Sequence, residues 1–524
     1  MSAVEDLKQR LGIIADLDAT AAVLGWDQET YMPPGAIEAR AEQLTTLARL
    51  SHEKFTDEEI GRLLEAAATE LDGTSFDVGN PTFDSDDASL VRVATRDWKR
   101  ATKIPADLVA RLAHASSMGQ QAWQQAREVS DFSVFKSHLE AIVELTGEKA
   151  EALGYKDRIY DPLLAEFEPG ISTAEIESLF TTLRERLIPI VQELTEETSS
   201  GGITDYESPP TAQSQIALPP LDRSFDEAAQ WDFGVAVIKD FGFDFTHGRQ
   251  DRSAHPFTTA FSVADVRLTT RIHEDFLPAG LFGTLHECGH GLYEQGFAPE
   301  LARTPLADGA SLGLHESQSR LWEILIGRSR PFWTHYFPKL SESFPKTLDG
   351  IDPDAFYRAI NVVRPTLIRV ESDEVTYNLH IMLRFEIENA LLEGRVLVED
   401  LPDVWNDGME RYLGIVPDSD ANGVLQDIHW SMGAIGYFPT YTLGNLMSSQ
   451  IFTRLREDIP DLDEQTASGR FGQLLSWLRE NIHRHGRKFT ASELLDRLDC
   501  GALSADPWLE HIRTKYSELS GKNL

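Results

Sequence analysis

Residues 284–296 read TLHECGHGLYEQG, and within them His286, Glu287 and His290 stand in the order H-E-x-x-H. Residues four apart share one face of an α-helix, so both imidazoles can direct a ring nitrogen at a single cation. Glu287 then lies beside that cation, where it can handle a proton. A helix is supported by the apolar positions Phe282, Leu285, Leu292 and Tyr293, with Gly296 as its C-terminal stop.

A catalytic site of this kind keeps three protein ligands and leaves one position open for water. Two histidines on one helix cover one side of the ion, so the third ligand has to come from another element. Glu294 shares the face but lies about two turns from His286, which suits a supporting or surface role. The stretch SLGLHESQSRLWEILIG (311–327) is a second helical pattern, with Leu312, Leu321, Ile324 and Leu325 on apolar positions, and it carries Glu316. Spacing alone leaves Glu316, Glu300, Asp308 and His315 open as the third ligand.

Composition narrows the partners. The chain has 524 residues, 41% hydrophobic, with 85 Asp plus Glu against 48 Lys plus Arg and a formal net charge of -37. Only 13 of the basic residues are Lys. Such an acidic surface repels nucleic acid and anionic lipid, which excludes both as partners. It also repels itself, and that repulsion is best tolerated where salt shortens the Debye length to roughly 3 Å, near 1 M. A halophilic protein of a salt-rich cytoplasm is expected. Two cysteines, Cys288 and Cys500, are too few for a disulfide framework and fit a reducing compartment. The N-terminus lacks a basic segment followed by an apolar one, and nowhere do 18 uncharged apolar residues run together. A cytoplasmic protein is the expectation.

Helical periodicity dominates. In 171–197, Ile176, Phe180, Leu183, Leu187 and Val191 recur at three- and four-residue steps. The stretches 71–89, rich in Asp, Gly and Ser, and 199–224, rich in Pro, Gly and Ser, read as surface loops. β-Branched and aromatic residues cluster only in 255–272, just ahead of the motif. The class is therefore mainly α with a small sheet near the site. Residues 1–524 read as one catalytic unit, with a helical N-terminal part (1–198) and a part bearing the motif (225–524).

The HECGH and LYEQG segments, then HESQSRLWE, resemble the carboxypeptidase Taq family of metallocarboxypeptidases. HPF (255–257), DVRLT (265–269), IRVESD (368–373), GVLQDIHW (423–430), GYFPTYTLG (436–444) and, near the N-terminus, GWDQETYMPPGA (25–36) look like the family's other signatures, in the family's order. IRVESD departs by one hydroxyl, Ser372 standing where the family usually has Ala. Cys288 occupies a free position of HExxH and points to a different helix face from His286, as a structural residue would. The stretch 71–89 reads as an insertion.

The resemblance implies a large, helical, cleft-forming metallopeptidase fold of the neurolysin type, with a small antiparallel β-sheet near the active site. It implies His286, His290 and Glu316 as ligands of one divalent ion, Zn first, with Co or Mn also acceptable to such ligands. Glu287 would be the general base. A carboxypeptidase must also hold the substrate's terminal α-carboxylate, and the planar fork of Arg suits that task. By resemblance Arg369 is the candidate, with His255 and Arg267 shaping or gripping the substrate; Arg267 has as its alternative an ion pair with Asp265. His429 and Tyr437 resemble residues that line the cleft opposite the metal helix. Tyr437, and after it Tyr441, could donate to the developing oxyanion, the plainer reading being that GYFPTY is aromatic core. His380 reads as a packed or surface residue. The implied protein is a homodimeric, metal-dependent carboxypeptidase that trims peptides from the C-terminus. The alternatives are an oligopeptidase cutting internal bonds and a non-catalytic peptide-binding scaffold.

Overall fold

The computed structural model describes residues 2–200, 221 and 223–524. The Pro/Gly/Ser-rich stretch 199–224 lies almost wholly outside the described residues. Helices dominate the described chain, and three short strands form its one sheet. Two compact units interleave along the sequence: Met1–Thr102 with Ala217–Ile360 and Ile451–Ala502, and Lys103–Ile216 with Asn361–Gln450 and Leu503–Leu524. Among the described residues no helix is long and apolar enough to cross a membrane.

The first unit begins with the helix Ala3–Thr30, started by a capping box in which Ser2 and Glu5 satisfy each other's backbone amides. Leu7 and Leu11 of this helix pack with Leu64, Ala67, Val91 and Ala94 from the helices Glu58–Glu70 and Asp86–Ala101. The loop expected over 71–89 ends four residues early, because Ser85 accepts a hydrogen bond from the Ala88 amide and Asp86 and Asp87 complement the positive end of the helix they open. Phe83 is buried beneath the Arg92 guanidinium, 3.8 Å from its ring centroid.

The sheet lies in the same unit: β1 (Gly248–Arg252), β2 (Thr258–Ser262) and β3 (Asp265–Thr270), in the order β1-β3-β2. It is mixed rather than antiparallel throughout, which corrects the expectation: β2 and β3 form an antiparallel hairpin, while β1 runs parallel to β3. The 253–257 connection carries the chain from one edge of the sheet to the other, so β1 meets the central strand rather than its sequence neighbour. β1 was missed because GRQDR has no apolar alternation. Its buried Asp251 is satisfied instead by Arg249 at 2.5 Å and by the Tyr31 hydroxyl at 2.5 Å. Gly248 is needed there, since a β-carbon would stand 2.5 Å from the Val266 carbonyl oxygen.

Successive residues of β3 face opposite sides of the sheet. Leu268 meets the motif helix Leu277–Glu294 at Gly291, where a β-carbon would lie 2.7 Å from its Cδ2. Arg267 faces the other way, beneath Trp26 of the N-terminal helix. The strand pair is thereby held between the motif helix and the N-terminal helix.

In the second unit the helices Ala106–Val129 and Ser133–Leu153 pair closely. In the helix Thr173–Ser200, Ile176, Phe180, Leu183, Leu187 and Val191 are all buried, as their spacing requires. The helix Tyr377–Leu392 is buried around nearly its whole circumference, although it carries Asn378, His380, Arg384 and Glu388.

Candidate metal centre

Two helices supply the site in the first unit, and small residues let them touch. A β-carbon on Gly289 would stand 2.5 Å from the Ser319 Cα and 2.7 Å from the Gln318 carbonyl oxygen. The motif helix therefore lies against the helix Leu312–Arg320, which Ser311 caps by accepting from the Leu314 amide. Gly296 does follow the motif helix, but its role is spatial: a β-carbon would stand 2.5 Å from the His483 Cβ.

This contact brings three ligand atoms together. His286 Nε2 and His290 Nε2 are 3.2 Å apart, and Glu316 Oε2 lies 3.6 Å from the first and 3.5 Å from the second. A point equidistant from such a triangle is about 2 Å from each corner, the length of a bond from a first-row divalent ion to imidazole or carboxylate. Among the described residues this is the group of His, Cys, Asp and Glu that could hold a metal. The donor set fits the ion that the motif implies.

The alternatives left open by spacing are placed elsewhere. His315 gives its Nε2 to Glu294 Oε1 at 2.8 Å and stacks its ring on His290, the centroids 4.5 Å apart. Glu294 is thus a support behind the site. Asp308 caps the Gly309 amide, and Glu300 lies in an exposed turn. Cys288 is fully buried with no exposed surface, as the structural reading requires.

Around the triangle lies a set of charges that the sequence reading overlooked. The helix of Glu316 continues into a π-helical turn, Leu321–Ile326, and Glu323 in that turn reaches His286 Nδ1 with Oε2 at 2.9 Å. Arg320 holds Glu316 Oε1 through Nε at 2.6 Å and approaches Glu323 at 3.4 Å; Arg328 approaches Glu323 at 3.5 Å. One signal was available: Glu323 follows Glu316 by seven residues, two helical turns, and so repeats its face.

Electrostatics follow this arrangement. Burial and the neighbouring His315 push His290 down to about 3, which keeps it neutral and ready to donate a lone pair. Burial opposes charge on Glu316, yet Arg320 and His286 hold it well below the ordinary carboxylate range. Burial likewise opposes charge on Glu323, which His286, Arg320 and Arg328 bring down to about 2. Burial disfavours a proton on His286, but Glu316 and Glu323 outweigh it and raise its affinity for one. Glu287 is buried and pushed up by that burial, and its Oε2 accepts from the Thr258 hydroxyl at 2.7 Å. A carboxyl with raised proton affinity beside a cation site can take a proton from water and release it again.

The remaining candidates divide between the units. In the first, Arg267 holds Asp265 through two nitrogens, at 2.9 Å and 3.0 Å, and lies over Trp26 and Phe261. His255 is exposed in the connection between β1 and β2. In the second unit, buried Arg369 grips Asp427 Oδ1 at 3.1 Å and 2.7 Å and donates to the Tyr377 hydroxyl at 2.8 Å. Arg384 holds the other oxygen of Asp427 at 2.7 Å. His429 Nε2 lies 3.3 Å from the Tyr441 hydroxyl, and its ring packs against Tyr437. Burial pushes His429 down to about 4. His380 is packed, with no exposed surface, and burial holds it far below the ordinary imidazole range.

Comparison with known proteins bears on this geometry. The family model of carboxypeptidase Taq (M32) metallopeptidases matches residues 6–516. The thermostable carboxypeptidase 1 of Thermus thermophilus is 40% identical over 526 residues, spanning 98% of each chain. That of Pyrococcus furiosus is 38% identical, spanning 94% of each. Among solved structures, the M32 carboxypeptidase of Deinococcus radiodurans superposes with a TM-score of 0.91 at 39% identity, covering 99% of this chain and 100% of that one. Metallocarboxypeptidase 1 of Trypanosoma cruzi gives 0.89 at 30% identity, covering 98% and 99%.

Proposed function

The chain belongs to the carboxypeptidase Taq (M32) metallopeptidase family and is a metallocarboxypeptidase, a hydrolase of peptides; on that premise we propose how its residues divide the reaction. His286, His290 and Glu316 hold one divalent ion. That ion supplies Lewis acidity toward the scissile carbonyl and makes water acidic enough to lose a proton near neutral pH. The observation that carries this reading is the triangle of ligand atoms, 3.2 to 3.6 Å on a side.

Glu287 takes the proton of the attacking water and passes it to the nitrogen of the leaving residue as the C–N bond breaks. Thr258 keeps the Glu287 carboxylate turned toward that task through its 2.7 Å hydrogen bond. Glu323 fixes the ring orientation of His286, and Arg320 fixes Glu316. Arg369 receives the terminal carboxylate, with His429 and Tyr441 beside it. Tyr437 donates to the carbonyl oxygen as charge builds there, a role worth on the order of 3 kcal/mol at comparable sites. His255 grips the substrate, and Arg267, already engaged by Asp265, shapes the wall beside it.

The native ion in this reading is Zn, and Co or Mn suits the same ligands. The protein acts as a homodimer in a salt-rich cytoplasm, where its charge of -37 is screened. The test is chelation and metal re-addition, assayed on peptides with a free C-terminus and on the same peptides as amides. Activity should vanish on chelation and return with the ion, on free peptides only. Cleavage of amidated peptides at internal bonds would make the enzyme an oligopeptidase, and metal-independent hydrolysis would remove the proposed chemistry.

A further inference from the structure

Glu388 sits in the helix Tyr377–Leu392 of the second unit without exposed surface. Three donors from two distant parts of the chain converge on its carboxylate. The Tyr160 hydroxyl donates to Oε2 at 2.6 Å, the Gly436 amide donates to Oε2 at 3.0 Å, and the Trp430 indole donates to Oε1 at 2.9 Å. Burial pushes the carboxyl up to about 7 against the pull of these donors.

An apolar side chain would fill this place without the desolvation penalty of a buried carboxyl. What the carboxylate adds is direction, because it fixes where three donors must stand. Two of them, Trp430 and Gly436, flank the same short loop. That loop opens with His429 and ends at Tyr437, the two rings 5.2 Å apart.

Other contacts press the loop into a single path. Gly436 has a φ of 102°, and a β-carbon there would stand 2.9 Å from the Leu163 backbone carbon. Gly433 has a φ of 71°. The Ser116 hydroxyl donates to the Met432 carbonyl at 3.1 Å, and a β-carbon on Gly119 would stand 3.0 Å from the Ser431 carbonyl oxygen. The helix Ala106–Val129 thus backs the loop from one side while Glu388 draws in both of its ends.

We propose that Glu388 is a positioning residue for the carboxypeptidase reaction: by gathering Trp430 and Gly436 onto one carboxylate, it presents His429 to the substrate's C-terminal residue and Tyr437 to the scissile carbonyl in one fixed geometry. This rests on the reading of His429 and Tyr437 as substrate-facing groups. Glu388 itself touches no reacting atom. A glutamine in its place would keep the volume but turn an N–H2 group toward donors that need an acceptor.

The experiment compares Glu388→Gln, Tyr160→Phe and Trp430→Phe with the wild-type, metal-loaded enzyme, using peptides with a free C-terminus. Melting temperature, metal affinity by chelator competition, KM and kcat are measured for each. Expected for Glu388→Gln is a cooperative melt, unchanged metal affinity and a fall of about tenfold or more in kcat/KM, with KM raised through His429 and kcat lowered through Tyr437. Tyr160→Phe and Trp430→Phe, each lacking one donor, should show smaller losses of the same kind. A lower melting temperature with wild-type KM in a folded Glu388→Gln protein would mean a merely structural role and overturn the proposal. Should that variant not fold, wild-type KM in both donor variants would overturn it equally. His429→Ala separates the underlying reading: wild-type KM there removes His429 from the substrate face, and the proposal for Glu388 with it.

Discussion

A β-carbon added to Gly289 would stand 2.5 Å from the Cα of Ser319, so the helices bearing His286 and Glu316 meet backbone to backbone between those ligands. No flexible side chain is available to move aside. Gly289→Ala should therefore push the helices apart, lowering stability by about 1–3 kcal/mol. Because Glu316 Oε2 stands within 3.6 Å of both imidazoles only through this contact, metal affinity should drop with it. Thermal melts and chelator competition measure the two effects, and unchanged affinity would show that the helix spacing does not govern the ligand triangle.

Glu323 and Glu287 are neighbours of the same site with different expected signatures. Glu323→Gln removes the charge that orients His286, so metal affinity should fall about 10- to 100-fold. Glu287→Gln leaves all three ligand atoms in place and should bind metal normally while kcat falls by about 10²- to 10⁴-fold. Titration against a competing chelator, run beside peptide hydrolysis, distinguishes them. Wild-type metal affinity in Glu323→Gln would refute its orienting role.

Glu374 ties the C-terminal helix Asp506–Ser520 into the second unit, accepting from Lys515 at 2.5 Å and from the Tyr516 hydroxyl at 2.8 Å, with His511 at 3.2 Å. Burial opposes its charge, yet Lys515 and His511 hold it well below its ordinary value of 4.5. A carboxyl depressed in the folded state stabilises above the unfolded value, and this contribution is lost as pH falls toward the folded one. Glu374→Gln should therefore cost about 3–5 kcal/mol at pH 7 by leaving Lys515 uncompensated. The gap from wild type should narrow below a pH of about 4.5, as denaturant melts across that range will show.

Salt dependence tests the acidic surface. With a charge of -37, self-repulsion should lower the melting temperature in dilute buffer well below its value in molar KCl, where the Debye length is roughly 3 Å. Equal melting temperatures would remove the halophilic reading.

Much of the fold was legible wherever one face of an element is apolar. The positions Ile176 to Val191 mark a helix because their spacing is its packing, and the structure buries each of them. β2 and β3 were visible through their β-branched and aromatic residues. β1 was not, because Asp251 is buried through an ion pair and a tyrosine hydroxyl rather than by apolar contact. The stretch around His380 was legible as a helix, and the structure has one over Tyr377–Leu392; its burial nearly all round was not legible, because its buried Arg384 and Glu388 are satisfied by partners far away in sequence.

Local periodicity, together with a two-histidine motif, was enough to say from the sequence that one helix offers two imidazoles to an ion and that an acid stands beside them. Which carboxylate approaches those imidazoles was a tertiary decision. Glu316, His315, Asp308 and Glu300 are equivalent in spacing, and only the glycine contact at Ser319 and the ensuing π turn place Glu316 and Glu323 where they are. Arg267 is the contrary case: its fork is taken up by Asp265, two residues earlier on the same face of β3, a local pair that the sequence already offered. Helical and strand periods are properties of the local backbone, whereas the partner of a buried charge is whichever group long-range packing brings within about 3 Å.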